Sequence, residues 1–256
     1  SLSTASTDVI TVTVNDADDA DVTAANLSTL GGKTAGVVTV TNAVVIGGTA
    51  AQVTAALVTA DTKVSVSDAK VTISDGDTTA LDATALSAIG GATTGLVTVT
   101  NAVAISGTEE QVTAALVTTD TLVAVSDAAV TISDGDTTAL NATALSAIGA
   151  KTTGTVTVTN AVVISGTADQ VTAALVTDGS KVEVSDAAVT ISDTPSITAL
   201  NNIAAETTGA VTATLAADSL ANLGSLSTAG TDVITVTVND ADAAAVTAAN
   251  LSTLGG

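Results

Sequence analysis

The chain of 256 residues contains no Phe, Tyr, Trp, Met, Cys, His or Arg. Each absence excludes something. Without aromatic side chains there is no large volume to fill the centre of a compact domain, and a thin core repeated many times suits the remaining Val, Ile, Leu and Ala better. Without cysteine there are no disulfides, no thiolate metal sites and no thiol chemistry. Without His or Cys, and with five scattered Lys, the usual nucleophile and base pairs of catalysis cannot be assembled. Basic residues are so few against 22 Asp and 4 Glu that the formal charge is -21. Such a surface repels nucleic acid and anionic membranes, and it offers neither phosphate neutralisation nor base stacking. Residues 34–60 carry no charge, but Thr39, Thr41, Asn42 and Gln52 interrupt them, so they do not read as a membrane span, and the aromatic girdles of a membrane β-barrel are missing.

What is present recurs at one fixed interval. Asn42, Asn101 and Asn160 keep it, as do Asp68, Asp127 and Asp186, and Asp16, Asp75 and Asp134. The register holds from about residue 8 to residue 192, through units at about 21–79, 80–138 and 139–197 and an irregular unit at about 198–256. Residues 225–256 also repeat residues 1–32 with three changes, which implies a longer repeat above the first, in which Ser225 returns to the place of Ser1. The whole of 1–256 therefore reads as one continuous array.

Within a unit, Val97, Val99, Val103 and Ile105 alternate with polar or small residues around Asn101, and Val123, Val125, Val130 and Ile132 do so around Asp127. That is a strand pattern of period two, bent at a corner. Each half then turns helical. Thr108 with Gln111 forms a capping box, repeated at Thr49 with Gln52 and Thr167 with Gln170. Asp77 and Asp136 read as N-caps of the second helix, with Leu140, Ala144, Leu145 and Ile148 on its inner face and Gly149 near its end.

The order strand, corner, strand, short helix runs twice in each unit, once from Asn42 to Asp68 and again, over a longer stretch, from Asp68 to Asn101. It predicts a repeat solenoid, mainly parallel β with short helices and two coils per unit. Helices pack at about 8 to 10 Å and strands at about 4.8 Å, which strains that arrangement. The alternative is a string of small α+β hairpin units, less favoured because no Asn-Gly or Asp-Gly marks the corner. Pro195, the one proline, sits where the regularity breaks, at the expected start of a helix.

Three features invite a chemical reading. The corner column of Asn and Asp suits bent backbone and stacked ladders better than a cation path. The pairs Asp16 with Asp18, Asp75 with Asp77, Asp134 with Asp136, and Asp240 with Asp242 offer oxygen ligands at a spacing that suits calcium. Caps and solvated turns account for the same carboxylates, and no EF-hand loop is closed by a Glu. The ranks of Thr39 with Thr41, Thr98 with Thr100 and Thr157 with Thr159 resemble the ice-binding faces of some antifreeze proteins, although Thr also suits any solvent-facing strand.

The stretches ITALNNIAAETTGAV, DTTALNATALSAIGAKTTGTVTVTNAVVISGTADQV and AVTISD resemble the Ala, Thr, Val and Asp-rich strand repeats of giant bacterial surface proteins, notably cyanobacterial ones often labelled hemolysin-like. The resemblance implies an extracellular, cell-surface or secreted-matrix filament, adhesin stalk or surface layer, as in a biofilm matrix. The expected role is a non-catalytic, long, inert, acidic rod that requires no cofactor and associates with itself head-to-tail or side-by-side. The alternative is a binding module, for ice or for calcium that bridges fibres. The register also implies that the sequence Lys-Thr-x-Gly-Val-Val-Thr-Val-Thr-Asn follows Gly256 in the natural polypeptide or a head-to-tail neighbour.

Substituting the inward Val99 or Ile105 by Asp is expected to unfold the protein by burying an unpaired charge, whereas Thr98→Ser or Thr100→Ser is expected to be nearly silent in a denaturant melt.

Overall fold

The computed structural model describes residues 5–121 and 123–241. These residues form four parallel sheets, of three, five, five and five strands, with eight α-helical segments. This is an α/β layered arrangement of separate sheets and overturns the expected repeat solenoid. The hairpin alternative is overturned too, since every described strand pairing is parallel.

The reason lies in strands that the repeat pattern did not reveal. Asp21–Thr23, Ala80–Asp82 and Ala139–Asn141 each lead directly into a helix, and each is the end strand of a five-stranded sheet. A new sheet therefore opens in each of the units 21–79, 80–138 and 139–197, and the described strands of 198–256 extend the last of these sheets. The helices that follow, Ala24–Gly31, Ala83–Gly90 and Ala142–Gly149, have eight residues each. Two-turn helices of this size need more room than the strand spacing gives, so the helical layer breaks the stack into short sheets.

The chain divides into two compact units, residues 1–131 with 151–154, and residues 132–150 with 155–256. In the first, Val38–Val40 lies between Val12–Val14 and Val64–Ser65. A second sheet there runs in the order Asp21–Thr23, Val45–Gly48, Lys70–Ile73, Val97–Val99, Val123–Ala124. Ala80–Asp82 pairs with Ala104–Gly107. In the second unit, Val156–Val158 pairs with Val182–Glu183. Its five-stranded sheet is Ala139–Asn141, Val163–Gly166, Ala188–Ile191, Val211–Thr214, Val233–Thr235.

The core is aliphatic throughout. Val97, Val103, Ile105, Leu86 and Ile89 are fully buried in the first unit, as are Leu145, Ile148, Val156, Ile164 and Leu200 in the second. The expected inner face of the second helix holds for Leu145 and Ile148; Leu140 is buried from the preceding strand, and Ala144 is half-buried. The expected caps of this helix do not hold. The N-caps are Asp82 and Asn141, further along the chain than Asp77 and Asp136. The capping boxes at Thr49, Thr108 and Thr167 are formed with both their hydrogen bonds.

Glycines mark where turns touch. Gly149 lies within its helix and no described glycine has a positive φ, so its role is close approach: an added Cβ would strike the Ser180 carbonyl. Gly90 meets the Thr121 carbonyl in the same way, and Gly95 the Ala69 carbonyl. Gly47 has nothing within 4 Å of such a Cβ. Gly95→Ala is therefore expected to cost about 1–3 kcal/mol by overpacking, while Gly47→Ala should be neutral or slightly stabilising; urea titrations of the two variants check the contrast.

Candidate functional site

The polar side chains that recur from unit to unit converge on two kinds of corner. At the first, the Asn side chain of one turn donates to a backbone carbonyl of the turn before: Asn42 to Asp16, Asn101 to Asp75, Asn160 to Asp134. The next residue is held at both ends. Ala102 donates its amide to Asp77 Oδ1 at 3.2 Å, and its carbonyl accepts the Thr78 amide at 2.8 Å. Ala43 does the same with Asp18 and Asp19, and Ala161 with Asp136 and Thr137.

To present that amide, Asp19, Thr78 and Thr137 adopt left-handed backbone, with φ of 61°, 61° and 62°. For a β-branched Thr this is strained by about 1–3 kcal/mol. The clasp over-determines the conformation.

At the second corner a Thr hydroxyl takes the central role. Thr93 Oγ1 donates to the Ala69 carbonyl at 2.6 Å and accepts the Gly95 amide at 3.0 Å. Thr152 with Ala128 and Gly154, and Thr207 with Ala187 and Gly209, repeat it. Thr34 binds the Asp8 and Ile10 carbonyls and the Ile10 and Gly36 amides. Thr34, Thr93 and Thr152 are buried, and these bonds satisfy them. Sequence reasoning passed over this column because Thr is common in the chain. Its signal is a Thr two positions before a Gly, at Thr34, Thr93, Thr152 and Thr207.

The Asp-x-Asp pairs thus have assigned partners. Asp18, Asp77 and Asp136 hold corner amides. Asp75 Oδ2 accepts the Ala50 amide at 2.6 Å, at the start of helix Ala50–Val53, where a carboxylate also suits the helix dipole. Asp240 Oδ2 accepts the Leu220 amide at 2.9 Å, and Asp193 the Ala168 amide at 2.7 Å. Asp16 is exposed and serves through its carbonyl, as Asp134 also does toward Asn160. Asp242 lies outside the described residues. Among the described residues no three acidic groups gather around one point.

The corner carboxylates Asp68, Asp127 and Asp186 are exposed, and each accepts a hydrogen bond from the hydroxyl of the preceding serine. The Thr-x-Thr ranks are short. Thr72 and Thr98 are adjacent, but Ala124 follows Thr98 and Glu183 lies beside Thr157. Thr41, Thr100 and Thr159 donate to the carbonyls of Val14, Ile73 and Ile132, so half of each expected rank is engaged within the fold.

Two surface hollows among the described residues each carry one carboxylate and no Lys. One of about 710 Å³ is bordered by Val66, Ser67, Thr93, Thr94, Thr119 and Asp120. Another of about 310 Å³ is bordered by Pro195, Leu215, Asp218 and Asn222 among others. Lys70 forms an exposed ion pair with Asp19 at 2.7 Å, and the hydrogen bond and charge of Asp19 raise its pKa above the ordinary lysine value. No described helix is long and apolar enough to cross a membrane.

Comparisons with known proteins match no family model, no curated protein and no solved structure.

Removing Asp77 or Asp136 by substitution with Ala takes the acceptor from a corner amide that water can reach and is expected to cost about 0.5–1 kcal/mol each. Asp68→Ala or Asp127→Ala, at the exposed corner, is expected to change stability by less than about 0.5 kcal/mol. Thermal melts of the four variants measure the difference.

Proposed function

We propose that this chain is a non-catalytic structural segment of an extracellular fibre, adhesin stalk or surface layer, presenting an inert acidic surface. The observation that supports this reading is the use made of the polar side chains. The Asn42, Asn101 and Asn160 amides, the Asp18, Asp77 and Asp136 carboxylates and the Thr93 and Thr152 hydroxyls hold backbone groups of neighbouring turns. Groups so engaged are poor candidates for nucleophile, base or metal ligand. The charge of -21 favours dispersal in water and disfavours nucleic acid as a partner. The chain's partner in this reading is another copy of itself, in a fibre or sheet, and no cofactor is needed.

Electron micrographs of the purified chain at rising concentration test the proposal. Filaments or sheets are expected; dispersed monomers that turn over a polysaccharide would overturn it. Melting with and without a chelator gives a further check, since a cation bound only by the native state must raise its stability. The expected midpoint is the same in both, and a chelator-sensitive midpoint would replace the inert segment with a calcium-bridged one.

A further inference from the structure

Residues 225–256 repeat residues 1–32 except that Ser6 becomes Gly230, Asp19 becomes Ala243 and Asp21 becomes Ala245. The described parts of the two copies begin alike. Asp8 donates its amide to the Ala5 carbonyl at 2.9 Å and accepts the Ala5 amide on Oδ2 at 3.0 Å. Asp232 makes the same pair of bonds with Ala229, at 3.0 and 2.7 Å. Each copy then runs on as an edge strand, but on opposite edges. Val12–Val14 ends its sheet and pairs with Val38–Val40, which follows it in the chain. Val233–Thr235 ends its sheet and pairs with Val211–Thr214, which precedes it.

The backbone groups in use are complementary. In the first copy Asp8, Val12 and Val14 bond the following turn: the Asp8 carbonyl accepts from Ala35 at 2.8 Å, the Val12 amide donates to Val37 at 3.0 Å, and the Val14 carbonyl accepts from Thr41 at 3.2 Å. In the second copy Thr235, Thr237 and Asn239 bond the preceding turn, through Leu215 at 3.0 Å and Asp218 at 3.0 and 2.8 Å. These three residues correspond to Thr11, Thr13 and Asn15. The sets alternate along the strand and do not overlap, as in a parallel strand with neighbours on both sides. One copy of the segment can hold both neighbours at once.

From this we infer that a second copy of the chain is the partner at this edge: residues 229–241 of one molecule take the seat of residues 5–17 of the next. Val236, Thr237 and Val238 then lie against Val38, Thr39 and Val40 of the second copy in the register now held by Val12, Thr13 and Val14, while the bonds to Leu215 and Asp218 persist. The seat is exchangeable because its present occupant is held lightly. Val9 is 80% exposed, and none of residues 5–17 is buried. The one difference between residues 229–241 and 5–17, Gly230 in place of Ser6, falls at an exposed position. The inference rests on the structural reading above and names how its copies join. Open strand edges are the ordinary route to such pairing.

The chain has no cysteine, so disulfide trapping is free of background. Full-length Thr39→Cys and Thr237→Cys proteins are mixed under mild oxidation; in the exchanged register these positions are opposite each other, as Thr13 and Thr39 are within one molecule. The expected product is a covalent heterodimer, formed at least about tenfold faster than from Thr237→Cys mixed with Thr98→Cys, because docking raises the local concentration of the paired thiols. Thr98, like Thr39, lies between two strands, but its neighbour Lys70–Ile73 is anchored by the buried Val71 and Ile73, whereas Val12 and Val14 are half-buried. A Thr13→Cys/Thr39→Cys double variant, closing its disulfide within one chain, verifies fold and geometry. If that bond closes while the two mixtures cross-link equally slowly, the exchange is overturned. Filaments in micrographs despite that result would leave the structural reading standing.

Discussion

The structure depends on how closely successive turns of the chain approach. Parallel strands pair at about 4.8 Å, and in this molecule the loops flanking those strands stack nearly as tightly, as the carbonyls facing Gly90, Gly95 and Gly149 show. At that spacing a bulky side chain on the contact face has nowhere to go. The vocabulary of Ala, Gly, Ser, Thr and Val on the connecting segments follows from it, as does an aliphatic core in place of an aromatic one.

Close stacking of irregular backbone creates a second demand. Amides and carbonyls at each corner do not meet a regular ladder, and such a group costs about 1–3 kcal/mol where it is buried and left unpaired. The Asn and Asp clasp answers this at one corner, with Asn101, Asp77 and Thr78 serving Asp75 and Ala102. Thr93 answers it at the other, toward Ala69 and Gly95. Among the described residues no buried side-chain nitrogen or oxygen lacks a partner. The carboxylates of an acidic chain thus serve as acceptors for local backbone, which is why their Asp-x-Asp spacing imitates a cation site.

Strand edges limit what such a fold can do alone. Each sheet is short, and Val12–Val14 and Val233–Thr235 finish theirs with backbone groups directed outward. In many proteins charge or proline blunts such edges. Here the two edge strands belong to two copies of one sequence, residues 1–32 and 225–256.

Much of the local structure was legible in the residues. Period-two alternation placed the strands around Asn101 and Asp127, and the Thr-x-x-Gln spacing placed helix starts at Thr49, Thr108 and Thr167, because these signals depend on near neighbours in the chain. The Asn and Asp columns were visible as structural corners for the same reason. Sheet membership was not. Ala80–Asp82 and Ala139–Asn141 have three residues each, too few for a period to register, yet they open new sheets and replace a continuous stack with four separate ones. Nor could spacing tell that Asp77 and Asp136 reach across to the amides of Ala102 and Ala161 in place of capping the helix that follows them. By itself the sequence determined a repeated aliphatic core, its strand periods and its helix starts. Tertiary structure decided which turn lies beside which, and hence which amide each carboxylate holds, because that choice depends on the competition between helix packing and strand spacing across residues well separated in the chain.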